Sequence, residues 1–245
     1  MGITIILDLP VSTVRTVSDT KRAFYSLHTR PINSIYRRVV EELMVEMHLL
    51  SVNADFSYNP IYGLGVFTTF ERFMQGYRPE TDYNSIFNAL CQSLPDDPQK
   101  YRRDAAQMRE LAASTNAEEF LAQVKQLPEG AGSLLDVLRP VATHPSFKYS
   151  RLFAIGLYNL LEIMNPELVQ DEAKRNEALQ GLANSLKLSD DKMQKDLELY
   201  RGNLEKLAQV RQVMEDILKA DRKKKEERAK AKDLAATPPQ DSASA

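Results

Sequence analysis

The chain has 245 residues, 43% apolar and 27% charged, with 9 Gly, no Trp and a formal charge of −2. That length can bury a proper core, and the composition is that of an ordinary globular protein, one domain plus an extension. A single cysteine, Cys91, excludes an intrachain disulfide and suits a reducing compartment.

The first residues, MGITIILDLPVS, contain the one β-like stretch of the chain, residues 3–7. Its apolar run stops at Asp8 and no basic segment precedes it, so a secretory signal is not expected. Ile6 stands where a myristoylation signal needs Ser or Thr. Helical periodicity takes over after Ser18, itself read as a helix cap. Pro31 is placed to start a helix, with Ile32, Ile35, Tyr36, Val39, Leu43, Met47 and Leu50 following at three- and four-residue steps. Arg37, Arg38, Glu41, Glu42 and Glu46 then face outward or flank that stripe.

Asn59-Pro60 punctuates the chain, and a second helix over residues 61–75 is closed by Gly76. Asp82 is placed to cap a third helix running to Leu94, before Pro95 and Pro98 break it. Further helices are predicted over 99–113, 117–127, 134–141, 149–164 and 166–186. The 149–164 segment is apolar nearly all round, which marks a central buried helix. Its uncharged run, residues 152–161, is half the roughly 20 residues that a membrane span needs.

The last predicted helix starts at Ser189 as cap, with Asp190 and Asp191 suiting the positive end of the helix dipole. Met193, Leu197, Tyr200, Leu204 and Leu207 step by four and three, and Met214 and Leu218 continue after Arg211 interrupts the seam. This narrow spacing is that of coiled coils and long helical hairpins. Residues 221–233 hold seven basic against four acidic residues, a surplus of +3 that leaves −5 for the rest of the chain. The residues therefore predict an all-α fold: a compact multi-helix domain with a long, coiled-coil-like C-terminal helix projecting from it. The expected divisions are a variable segment at 1–17, a helical domain at 18–188, the long helix at 189–234 and a disordered tail at 235–245.

Catalytic chemistry is sparse. His28, His48 and His144 lie in different segments, and Val45 occupies the position where a Glu-x-x-His metal motif on the His48 helix needs its glutamate. Gly63-Leu-Gly65 lacks the third glycine and the preceding strand of a phosphate loop, so it reads as a place where helices approach closely. Ser18-x-x-Lys21 and Ser189-x-x-Lys192 have no companion motifs and read as caps. Cys91 reads as a small apolar residue in a helix. No catalytic residue, metal ligand or cofactor is assigned, and the chain is not expected to be an enzyme.

Binding chemistry is better represented. Phe56, Tyr58, Tyr62, Phe67, Phe70, Phe73 and Tyr77 form a dense aromatic group, with Phe67, Phe70 and Phe73 assigned to the core. Tyr58, Tyr62 and Tyr77 lie near chain breaks and are candidates for surface contacts. Arg211, Lys219, Arg222, Lys223, Lys224, Lys225 and Arg228 are the basic candidates on the terminal helix. An acidic partner or anionic headgroups would attract them, by up to about 1 kcal/mol per residue at a membrane surface. Nucleic acid is disfavoured because the rest of the chain is acidic.

Three stretches carry a resemblance to a known family. They are SDTKRAFY with HTRPINSIYRRVVEELMVEMHLL and NPIYGLGVFTTFERFMQGYRPE, then HPSFKYSRLFAIGLYNLLE, then DKMQKDLELYRGNLEKLAQVRQVMEDILKADRKKKEER. In that order they resemble the thylakoid formation protein family, also described as a photosystem II biogenesis family of cyanobacteria and plastids. The first dozen residues depart from its pattern. The resemblance implies a non-enzymatic accessory role in photosystem II biogenesis and repair and in thylakoid organisation. It also implies an FtsH-type membrane protease complex and photosystem II assembly or repair intermediates as partners. The expected location is cytoplasmic, in peripheral contact with the thylakoid membrane. An alternative is a carrier of pigment or another hydrophobic ligand, with the 152–164 helix lining a pocket and His28, His48 or His144 as ligand.

Overall fold

Residues 15–127 and 134–236 are described by the computed structural model, and they form eleven helices with no strand among them. In chain order these are α1 (Val17–Leu27), α2 (Ser34–Ser51), α3 (Pro60–Phe73), α4 (Glu80–Ser93), α5 (Pro98–Ala113) and α6 (Ala117–Val124). α7 (Leu134–Thr143), α8 (Arg151–Met164), α9 (Pro166–Gln170), α10 (Glu172–Ser185) and α11 (Asp190–Ala236) complete the series. The described chain falls into two units, one ending at Tyr200 and one beginning at Arg201, so α11 contributes to both. The all-α expectation holds, including the long C-terminal helix. The β-like residues 3–7 and residues 237–245 of the expected tail lie outside the described residues.

The first unit is organised around α3, which packs on α8 and α5. Two glycines explain how closely α3 and α8 approach. A Cβ at Gly65 would stand 1.7 Å from the Leu152 carbonyl oxygen, and one at Gly156 would stand 2.0 Å from that of Ile61. Each helix thus lays backbone on the other's backbone. One turn further along, Thr68 donates a buried hydrogen bond to Asn159 Oδ1 at 3.1 Å, so two buried polar side chains at the crossing satisfy each other. Gly65 fulfils the expected close approach. Gly63 does not: its missing Cβ makes room for the Tyr58 hydroxyl, which would lie 2.3 Å away.

Several helix starts differ from expectation, some because neighbouring cap candidates compete and one because a distant ion pair takes the expected cap. Thr16, not Ser18, caps α1, because Thr16 and Asp19 form a reciprocal capping box. Pro31 stays outside α2, whose cap is Asn33 accepting from Ile35 N at 3.1 Å. Asp82 does not cap α4. It lies inside the first turn, 2% exposed, with Arg30 at 2.7 Å. The single helix expected over 166–186 is split, because Asp171 takes an extended backbone and caps α10 through Lys174 N. Ser189 does cap α11, accepting from Lys192 N at 3.4 Å, and Gly76 closes the turn after α3 with φ 81°.

The seam expected at the start of α11 is buried in the first unit at Met193, Leu197 and Tyr200, whereas Met214 in the second unit is 38% exposed. Among the described residues no helix is long and apolar enough to cross a membrane.

Candidate partner-binding surfaces

Tyr62 and Tyr77 are 2% and 4% exposed, which corrects the expectation that they present surface contacts. Nearness to Pro60 and Gly76 suggested exposure, but distant rings cover both. Tyr62 stacks edge-on with Phe56 and Tyr101, and Tyr77 with Tyr36. Tyr58 is half-buried and held in place: its hydroxyl donates to Asp104 Oδ2 at 2.7 Å while the Lys100 ammonium sits 3.4 Å above its ring. These tyrosines belong to the fold. Phe70 and Phe73 are buried as expected, and Phe67 is half-buried against Phe87.

The histidines are not gathered into a site. His48, expected at the edge of the core, is 3% exposed, and its Nδ1 bonds Thr20 Oγ1 at 2.9 Å. His144 is exposed and accepts from Ser146 N. His28 is 2% exposed, with Nδ1 on Ser85 Oγ at 3.0 Å and Nε2 without a hydrogen-bond partner among the described residues. The His28 and His48 rings are both buried. The apolar α8, the expected pocket wall of a ligand carrier, is covered by α3. Cys91 is fully buried, and burial pushes its thiol well above the usual range. Among the described residues no cluster of three or more His, Cys, Asp or Glu could hold a metal ion.

Burial lowers the pKa of His28 from 6.5, against the opposing pull of Asp82 and with help from Arg30. A folded value below the unfolded one means that the unfolded chain takes up the proton first. The contribution of His28 to stability is therefore complete above 6.5 and lost as pH falls through the depressed folded value. The melting temperature should drop between about pH 7.5 and about pH 5.5, and His28→Gln should make that drop smaller. Equal drops in both proteins, measured by thermal unfolding, would show that His28 does not drive the effect.

An open groove of about 1080 Å³ lies in the first unit, between the outward face of α2 and residues 148–151 at the start of α8. Its charges are mostly matched. Lys21 bonds Glu41 at 2.8 Å, Arg38 bonds Glu42 at 2.9 Å, and Arg151 bonds Glu46 at 2.6 Å. Lys21 and the Tyr25 hydroxyl together lower the pKa of Glu41, while burial and then Glu41 push Tyr25 up to about 12. Glu46 is shifted upward because burial outweighs the help from Arg151. Tyr149 reaches across to Asp196 at 2.9 Å, and the Lys192 ammonium lies 5.1 Å over its ring. Sequence inspection missed this groove, because Glu46 and Arg151 are 105 positions apart and neither belongs to a recognisable motif.

The second unit carries the basic candidates. Arg222, Lys223, Lys224, Lys225 and Arg228 are exposed, Lys219 is exposed and 3.9 Å from Glu215, and Arg211 is half-buried. Successive residues turn by about 100° around a helix, so the four cations from Arg222 to Lys225 surround it as a collar rather than lining one face. Such a collar suits diffuse attraction to an acidic surface better than recognition of one small anion.

Comparison with known proteins places this architecture. The family model described as "Thylakoid formation protein" matches residues 16–229. Protein Thf1 of Trichormus variabilis (strain ATCC 29413 / PCC 7937) is 59% identical over 229 residues, covering 92% of this chain and 98% of its own length. Protein Thf1 of Nostoc punctiforme (strain ATCC 29133 / PCC 73102) is 58% identical over 232 residues, covering 94% and 98%. A solved structure of Psb29 at 1.55 Å superposes with a TM-score of 0.76 at 44% identity, covering 86% of this chain and 98% of that one. With the match extending from the cap of α1 into the basic collar of α11, the chain belongs to the thylakoid formation protein family.

Proposed function

We propose that this chain is a non-enzymatic accessory protein of photosystem II biogenesis and repair, acting at the thylakoid membrane by binding and supporting an FtsH-type protease complex. Family membership supports the thylakoid setting, and the name of the Psb29 relative supports the link to photosystem II. The observation that carries the docking assignment is the exposed collar from Arg222 to Arg228 on a continuous helix. Long exposed cations there meet an acidic protein surface or anionic headgroups without first breaking a packed interface. The contact is peripheral: the protein reaches the membrane through charge and a partner.

The test is affinity purification of the tagged full chain from gently solubilised thylakoid membranes. Beside it runs a full-length variant carrying Arg222→Gln, Lys223→Gln, Lys224→Gln and Lys225→Gln. Protease recovery should fall at least about tenfold in the variant. Equal recovery would move the contact to the helical body of the first unit. Recovery of photosystem subunits without protease from the unaltered chain would overturn the protease reading itself.

A further inference from the structure

The second unit exposes an apolar stripe that the basic collar does not account for. Val210, Val213, Met214 and Ile217 are 42%, 58%, 38% and 56% exposed, and their spacing of three and four residues puts them on one face of α11. The helix's own pairs lie elsewhere: Lys219 reaches Glu215, and Gln212 donates to Asp216, both on the far side of the cylinder. Continued in both directions at the same spacing, the stripe runs into Lys206 and Asn203 on one side and Asp221 and Lys224 on the other.

That order is complementary to itself when reversed. Turned about a two-fold axis between Val213 and Met214, the helix sets Val213 against Met214 and Val210 against Ile217. The same turn brings Lys206 to Asp221 and Asn203 to Lys224. The Lys206–Asp221 match occurs twice, as an isologous interface requires. Parallel pairing would instead put Lys206 on Lys206, Asp221 on Asp221 and Lys224 on Lys224, three like-charge contacts. From these two observations, an uncovered apolar stripe and a charge order that is satisfied only antiparallel, we infer that a second copy of this chain docks on this face as an antiparallel helix pair. The overlap from Asn203 to Lys224 is about 32 Å long at 1.5 Å per residue. With four apolar residues per chain at its centre, the interface belongs to the small, reversible class. The pairing does not depend on the protease reading.

Sedimentation of the full-length protein from about 2 to about 200 µM should show a monomer converting to a dimer. Ile217→Glu should raise the dissociation constant more than about tenfold by placing a charge at the centre. Lys206→Glu should raise it about fivefold, and the swap Lys206→Glu with Asp221→Lys should restore it, which a loss of folding would not do. Register is read by oxidising a mixture of Asn203→Cys and Lys224→Cys chains, with Cys91 protected by burial. A disulfide between positions 203 and 224 supports the antiparallel pair. Disulfides joining 203 to 203, or a protein that stays monomeric throughout the concentration range, overturn it.

Discussion

Gly156→Ala is expected to lower the melting temperature by about 10 °C, and Gly65→Ala by a similar amount. The added Cβ at Gly156 would meet the Ile61 carbonyl oxygen at 2.0 Å, with the carbonyl carbon and Ile61 Cγ2 both at 2.9 Å. At Gly65 the obstacle is the Leu152 carbonyl at 1.7 Å. A Cβ has no rotamer to escape through, and a backbone carbonyl inside a helix cannot swing aside, so α3 and α8 must move apart. Separation loosens the packing of Ile61, Leu64, Leu152 and Ile155, all at most 1% exposed, and stretches the Thr68–Asn159 bond. Overpacking typically costs about 1–3 kcal/mol, and a clash with backbone falls at the upper end or beyond. For a chain of this size that is about 2–4 °C per kcal/mol. Gly181 is the control. It lies inside α10 with nothing within 4 Å of a built Cβ, so Gly181→Ala should stabilise by about 0.5–1 kcal/mol through helix propensity alone. Thermal unfolding that ranked the three variants alike would show that the α3–α8 crossing is not set by the glycines.

The same pair of helices shows how much of the fold was legible. Three- and four-residue periodicity, with Asn59-Pro60, Gly76 and the breaks at Pro95 and Pro98, gave the helices and their order. Each is a local signal, set within one or two turns. The all-round apolar character of α8 marked it as central for the same reason. What stayed hidden depends on partners far away in sequence. Two glycines two residues apart, Gly63 and Gly65, look equivalent, and only the position of Leu152 decides which one faces a helix. Asp82 looks like a cap until Arg30 comes to it across the fold. Tyr62 and Tyr77 look exposed until Tyr101 and Tyr36 cover them. On α11 the step of the seam to Met214 was readable in spacing, but its exposure was not, because burial depends on which face of a helix finds a neighbour.

Phe87→Ala should cost about 4 kcal/mol, whereas Phe67→Ala should cost about half as much. Phe87 is 0% exposed at the meeting point of α3, α4 and α5. Its ring lies 5.2 Å from Phe67, 4.9 Å from Phe70 and 6.4 Å from Tyr101, with the Arg102 guanidinium 4.7 Å from its centroid. Truncation removes contacts on every side at once, and the neighbours are too constrained to collapse inward: Tyr101 is tied to Asp96 at 2.9 Å, and Phe70 is stacked on Tyr83. Phe67 is half-buried and backed on one side by Arg109, so water can enter the space its ring leaves. Chemical denaturation of the two variants reads the difference, and equal losses would contradict the assignment of Phe87 to the centre of the aromatic cluster. The pair also separates fold from docking. Replacing exposed cations of the collar should change stability by no more than about 0.5 kcal/mol yet lower protease recovery at least about tenfold. Phe87→Ala should do the reverse at temperatures where it stays folded, since none of its contacts lies beyond Tyr200. A variant set in which stability and recovery fell together would instead place the docking surface on the helices around Phe87.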